Sequence, residues 1–165
     1  MFGKVERISP EAPVPVNRID AEKSVLGGAA NVASNLANLD CHVYLAGLIG
    51  NDDNGTLMRT LLADAGIDGT GLITRDGYTT TTKLRVIGSR QQMMRLDFEE
   101  VTPFRDDEAN LLITWLMERI DDGLDGVILS DYHKGVLTDD VAFRVMALLK
   151  SHHIPVLVAV SYTHL

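Results

Sequence analysis

Apolar residues recur at helical spacing in four stretches: Val32, Ala33, Leu36, Ala37 and Leu39; Leu57, Leu61 and Leu62; Leu111, Leu112, Trp115, Leu116 and Ile120; Val141, Val145, Leu148 and Leu149. This spacing predicts amphipathic helices, each turning one stripe toward a core. The boundary residues agree. Gly27-Gly28 opens the first helix, and Asp52, Asp53 and Asn54 offer N-caps for the second, which Gly66 closes. Asp106-Asp107-Glu108 sets acids at the positive dipole end of the third, and Thr138-Asp139-Asp140 starts the fourth. Between them, Val43 to Ile49, Val127 to Leu129 and Pro155 to Val158 are short apolar runs of the buried-strand kind. Strands alternating with helices imply an α/β fold with a parallel sheet.

The middle of the chain departs from that rhythm. Thr79 to Ile87 is β-branched and threonine-rich, Gly88-Ser89 signals a turn, and Arg90 to Phe98 resumes an extended pattern. The pair reads as a hairpin of ~8-residue strands, more polar than core strands, and hence as an excursion from the sheet. At the start, Ile8 to Val16 carries three prolines, which forbid a helix and most positions in a central strand. That stretch reads as an extended segment leading to an edge strand near Val14 to Ile19.

Composition narrows the partners. With 45% hydrophobic and 23% charged residues the chain is an ordinary globular sequence, outside the regime of disorder. A net charge of -8 and a pI near 5.0 argue against a phosphate-backbone binder and leave room for a small anion wherever a few basic side chains converge. The single cysteine, Cys41, allows neither an intrachain disulfide nor a multi-cysteine zinc site. No apolar run approaches the ~20 residues of a membrane span, and no basic region followed by an apolar stretch marks a signal peptide, so a cytoplasmic location is expected. His133, His152 and His153 have no carboxylate or cysteine at a matching spacing, so no metal site is expected.

Three groups of residues carry candidate chemistry. Gly27-Gly28-Ala29-Ala30-Asn31 puts two small residues at a helix entrance, leaving free N–H groups and the dipole end open to a polar ligand. Asn31 can donate to and accept from sugar hydroxyls. The same residues also suit close helix–sheet packing and a simple cap. Ser130-Asp131-Tyr132-His133-Lys134-Gly135 follows a strand directly, where ligands of parallel sheets sit. There Asp131 can accept a hydroxyl and Lys134 can meet a phosphate, unless the loop is merely solvated. The hairpin supplies Lys83, Arg85, Arg90 and Arg95 in an otherwise acidic chain. Lys83 and Arg85 share one face, which suits an anion under a lid and equally suits a solvated strand edge; which of Arg90 and Arg95 joins them is open.

Together these segments resemble the ribokinase-like (PfkB) carbohydrate kinases. Gly27 to Ala33 with Gly50 downstream follows the family's N-terminal signature, except that Asp40 stands where glycine or serine is expected, at a helix end. Three stretches resemble, more narrowly, the kinases that act on D-glycero-D-manno-heptose 7-phosphate. These are Arg7-Ile8-Ser9-Pro10-Glu11-Ala12-Pro13-Val14-Pro15-Val16, Gln91-Gln92-Met93-Met94-Arg95-Leu96-Asp97-Phe98-Glu99-Glu100, and Leu129-Ser130-Asp131-Tyr132-His133-Lys134-Gly135. The resemblance implies the N-terminal part of a ribokinase-like three-layer fold, with a parallel central sheet and a small β-lid whose strands lie at about 14–19 and 72–98. It implies transfer of the ATP γ-phosphoryl group to the anomeric hydroxyl of the heptose phosphate, toward ADP-heptose and the lipopolysaccharide core. Gly28, Asn31, Asp131 and Lys134 would line the sugar side, and Lys83, Arg85 and Arg95 would hold the phosphate already on the sugar. A homodimer joined through the lid is a further expectation. Other kinases of the class, acting on ribose, a fructose phosphate or a nucleoside, and a non-catalytic sugar-phosphate-binding half-domain are the alternatives.

The family's catalytic base and its cradle for ATP and Mg²⁺ come from a Gly-Ala-Gly-Asp segment that this sequence does not contain. The acidic opening strand that contacts the sugar is also expected to precede Met1. No catalytic residue is therefore expected here, and 1–159 reads as a partial kinase domain without activity of its own. After Val156-Leu157-Val158 the family pattern calls for Asp-Pro-Lys, whereas the chain continues Ala159-Val160-Ser161-Tyr162-Thr163-His164-Leu165. Residues 160–165 match the translation of a transposase mosaic-end adapter (CTGTCTCTTATACACATCT), so a non-native tail is expected there.

Overall fold

In chain order the elements are β1 (Phe2–Ile8), β2 (Pro15–Ala21), α1 (Ala29–Ala37), β3 (Tyr44–Gly50), α2 (Asp53–Asp64), β4 (Asp68–Arg75), β5 (Thr82–Gly88), β6 (Gln91–Phe98), α3 (Asp106–Asp121), β7 (Val127–Asp131), α4 (Asp139–Ser151) and β8 (Val156–Val160). The structure is a computed structural model and describes residues 1–160. The described chain forms two units, one of Met1–Val25 with Thr81–Glu99 and one of Leu26–Thr80 with the chain from Glu100 onward. Of the tail expected at 160–165, Val160 is the last residue of β8, and 161–165 lie outside the described residues.

In the larger unit every predicted helix is present, and its caps explain where it starts. Asp52 accepts the Gly55 amide at 2.7 Å to begin α2, and Thr138 accepts the Val141 amide at 3.2 Å to begin α4. At α3 the Glu108 carboxylate reaches back to the Arg105 amide at 2.8 Å. The strands pair in parallel, β3 with β4 and β7 with β8, and no ladder joins the two pairs among the described residues. Alternation along β3 divides its side chains between two cores. Leu45 and Ile49 meet Ala30 and Ala33 of α1 and Leu62 of α2. Ala46 and Leu48 meet Leu112 and Leu116 of α3, in a cluster that also takes Val141, Val145 and Leu149 from α4. Helices on both faces of the strands give the three layers of the expected α/β fold. They also carry the carboxyl end of β7 and the entrance of α1, where the candidate residues lie.

Strand β4 was not anticipated, and it contains two glycines, Gly69 and Gly71. Both glycines make room: a Cβ on Gly71 would strike the Trp115 indole and Ala46, and one on Gly69 would press on Leu62 at 3.2 Å. Residues 72–75, expected in the lid, belong instead to this strand. Leu72 is buried and Ile73 packs against the α3 cluster, so both are core residues of the larger unit.

The smaller unit is a four-stranded sheet in the order β2-β1-β5-β6, the small β-lid of this fold. The predicted hairpin is β5 and β6, and the predicted proline-bounded edge strand is β2, with Pro15 as its first residue. Strand β1 was missed. It lies antiparallel to β2 and meets β5 in parallel only through Phe2 and Gly3. The hairpin turn is Ser89-Arg90, one residue later than expected. Both take positive φ, at 49° and 81°, as a two-residue turn between right-twisted strands requires. Neither is a glycine, so each holds strain of order 1–3 kcal/mol.

Candidate functional site

Helix α1 enters differently from its neighbours. Its N-cap is Gly28, at φ 56° and ψ -131°, a conformation in which a side chain is strained. It has no side-chain cap and no acid in its first turn, so its leading amides and dipole meet no carboxylate of the helix itself. Asn31 sits in that first turn and is exposed.

The loop after β7 comes to the same place. The Tyr132 ring lies 3.8 Å from the position a Gly28 Cβ would occupy, so the α1 entrance and the carboxyl end of β7 are neighbours. Gly28 leaves open the space between them. Asp131 ends β7, and its Oδ1 accepts the His133 amide at 2.7 Å, a turn that carries His133 to φ 54°. Lys134 and Gly135 follow, both half-buried. The structure thus brings Gly28 of the first predicted group to the Asp131-Tyr132 end of the second. Tyr132 was not among the predicted site residues. Its signal was its position between Asp131 and Lys134 in the loop motif.

On the lid, register settles which arginine joins Lys83 and Arg85. Arg85 stands directly opposite Arg95, and Lys83 opposite Asp97, so all four share one face, while Arg90 is in the turn. Lys83 Nζ donates to Asp97 at 2.8 Å and to Glu99 at 3.2 Å, and Arg95 Nε donates to Asp97 at 2.9 Å. The Asp97 bond holds the Lys83 ammonium above its ordinary range, and Lys83 in turn draws the Asp97 carboxyl below its own. Arg85 has no carboxylate partner among the described residues. Two guanidiniums facing each other across a ladder repel, and an anion between them would relieve that.

No cluster of three His, Cys, Asp or Glu comes together among the described residues. Two polar groups outside the predicted set instead tie together distant segments of the larger unit. Asp52 accepts both the Thr80 amide, at 2.9 Å, and its hydroxyl, at 2.6 Å, and that hydroxyl accepts the Gly50 amide at 2.8 Å. Burial pushes the Asp52 carboxyl up, but the Thr80 and Gly55 donors outweigh it and hold it below its ordinary value. Arg75 and Glu108 form an ion pair whose side chains are 4% and 7% exposed. Asp52 and Glu108 were read only as helix-start residues; their pairing with Thr80 and Arg75 left no signal in the sequence, because those partners lie far away along the chain.

A model of the pfkB family of carbohydrate kinases matches residues 2–161. The chain belongs to that family. Among curated relatives, the bifunctional protein HldE of Helicobacter pylori strain P12 is 43% identical over 153 residues, covering 93% of this chain and 33% of the relative. HldE of Geobacter sulfurreducens is 40% identical over 158 residues, covering 96% and 32%. The chain therefore spans about a third of the length of these relatives. Solved structures share the fold at low identity. Arabidopsis thaliana ribokinase, complexed with ribose and ATP, superposes at a TM-score of 0.63 with 18% identity, over 97% of this chain and 49% of its own. A possible 1-phosphofructokinase from Thermotoga maritima does so at 0.67 with 15% identity, over 96% and 48%.

Proposed function

We propose that this chain supplies the sugar-binding part of a kinase that transfers the ATP γ-phosphoryl group to the anomeric hydroxyl of D-glycero-D-manno-heptose 7-phosphate. The observation that carries the reading is the meeting of Gly28 with Tyr132, which puts the uncapped α1 entrance beside the Asp131–Lys134 loop. In this reading Asn31 and Asp131 take sugar hydroxyls, Lys134 adds a positive charge, and Lys83, Arg85 and Arg95 receive the 7-phosphate. The lid motif Gln91 to Glu100 supports a heptose phosphate over ribose, a fructose phosphate or a nucleoside.

Kinases of this family generally use ATP with Mg²⁺. The residues present here do not fit that group: the described chain assembles no carboxylate cluster, and the sequence has no Gly-Ala-Gly-Asp segment. The chain is accordingly proposed to bind sugar phosphate without turning over ATP, and no chemical step is assigned to its residues. No helix among the described residues is long and apolar enough to cross a membrane. A reaction that consumes ATP suits the cytoplasm.

Calorimetric titration of the 165-residue chain tests the binding claim. Saturable binding of heptose 7-phosphate is expected, with Asp131→Ala weakening it about tenfold or more through loss of a charge-assisted hydrogen bond. Equal affinity for ribose 5-phosphate, or no effect of Asp131→Ala, would refute the assignment. The lid is further proposed to join two copies of the chain. On one face of its hairpin Met94, Leu96 and Phe98 are 55%, 41% and 47% exposed, opposite Val86, Leu84 and Thr82. An apolar row of this kind on an edge strand calls for a partner. Sedimentation should show a dimer that Leu96→Lys dissociates, and a monomer at all concentrations would remove this part of the proposal.

A further inference from the structure

The chain crosses from the larger unit to the lid between Thr80 and Thr81 and returns between Glu99 and Glu100. On its return, residues 100–104 are tied at three points, all within the larger unit. The Tyr78 hydroxyl donates to the Glu100 carbonyl at 3.2 Å, Arg75 donates to the Pro103 carbonyl at 3.0 Å, and the Phe104 amide donates to the Gly135 carbonyl at 3.0 Å. Tyr78 stands two residues before the outgoing crossing, so it links the two passages of chain. Gly135 ends the loop that begins at Asp131. It packs so closely on Thr102 that a Cβ there would land in the Thr102 carbonyl, and its φ of 89° is itself unfavourable to a side chain.

We propose that residues 100–104 position the Asp131–Gly135 loop, with Tyr78 and Gly135 as the positioning residues that tie the lid's return passage to it. The connection is a contiguous series of backbone and side-chain contacts from Tyr78 through Glu100 and Phe104 to Gly135, and a shift of the return passage is passed along it to the loop. The bearing of this link on sugar contacts at Asp131 and Lys134 rests on the sugar-binding role proposed above, whereas the link itself does not.

Hydrogen exchange on the ligand-free 165-residue chain tests the link by itself, so its failure is distinct from a failure to bind sugar. Tyr78→Phe keeps the ring and removes only the bond to Glu100. It is expected to speed exchange about fivefold, the effect of one lost hydrogen bond, in 100–105 and also in 131–136, which Tyr78 does not bond. Gly135→Ala, acting from the other end, is expected to speed exchange in the same two segments. A response confined to the segment altered, or one no larger than that of the β3 amides, overturns the proposal.

Discussion

Glu108→Ala is expected to destabilise the chain by about 3–5 kcal/mol, the usual cost of breaking a buried ion pair from one side. Arg75 would keep its charge in a site where its side chain is 4% exposed, left with the Pro103 carbonyl at 3.0 Å, the Tyr78 ring 5.4 Å from its guanidinium carbon, and the more weakly acting Glu100 carboxylate. The α3 N-terminus would also lose the bond from the Arg105 amide. Urea denaturation should show the midpoint falling with an unchanged slope, because the change acts on the folded state alone. A loss below about 1 kcal/mol would mean that the pair behaves as an exposed one. Arg75 together with Glu108 replaced by apolar residues of similar volume should recover most of the loss, since desolvation of both charges is then avoided.

Asp52→Asn is the second large effect, expected at about 2–3 kcal/mol, because an amide has one oxygen where the carboxylate uses two. Oδ1 accepts from the Gly55 amide and the Thr80 hydroxyl, and Oδ2 from the Thr80 amide, so one donor is left facing an NH₂ group. The sign of the pH dependence follows from the depressed carboxyls. Asp52 is held below 3.8 by the Thr80 and Gly55 donors against burial, and Glu108 below 4.5 chiefly by its bond from Arg75. Their stabilisation is present in full above those ordinary values and is lost as pH falls through the folded-state values. Wild-type stability should therefore drop below about pH 4, and in Asp52→Asn the drop should be shallower. Thermal unfolding between pH 2 and 6 checks this; an Asp52→Asn curve parallel to the wild type would show that Asp52 does not titrate with folding.

Much of this fold was legible locally. The helical apolar stripes, Asp52 and Thr138 as caps, and the edge strand bounded by Pro15 depend on residues within a turn or two of one another, so a linear reading finds them. Strand β4 failed that test because its glycines are explained by Trp115 and Leu62, which approach from other elements. Of the candidate site, the two motifs around Gly28 and Asp131 and the basic residues of the hairpin could be picked out from the sequence as candidates. The pairing of Arg85 with Arg95, the neutralising role of Asp97, and Tyr132 beside Gly28 were not.

Sequence alone determined the class of the molecule: periodicity of 3.6 and runs of buried-strand type leave little choice but layered helices and strands, and the motif residues carry the family. Tertiary structure alone decided which distant residues meet. Asp52 with Thr80, Arg75 with Glu108, and Phe104 with Gly135 are joined by bonds whose partners stand 28 to 33 positions apart. Such bonds leave no periodic trace, because their formation depends on where packing of the apolar faces has already brought the backbone.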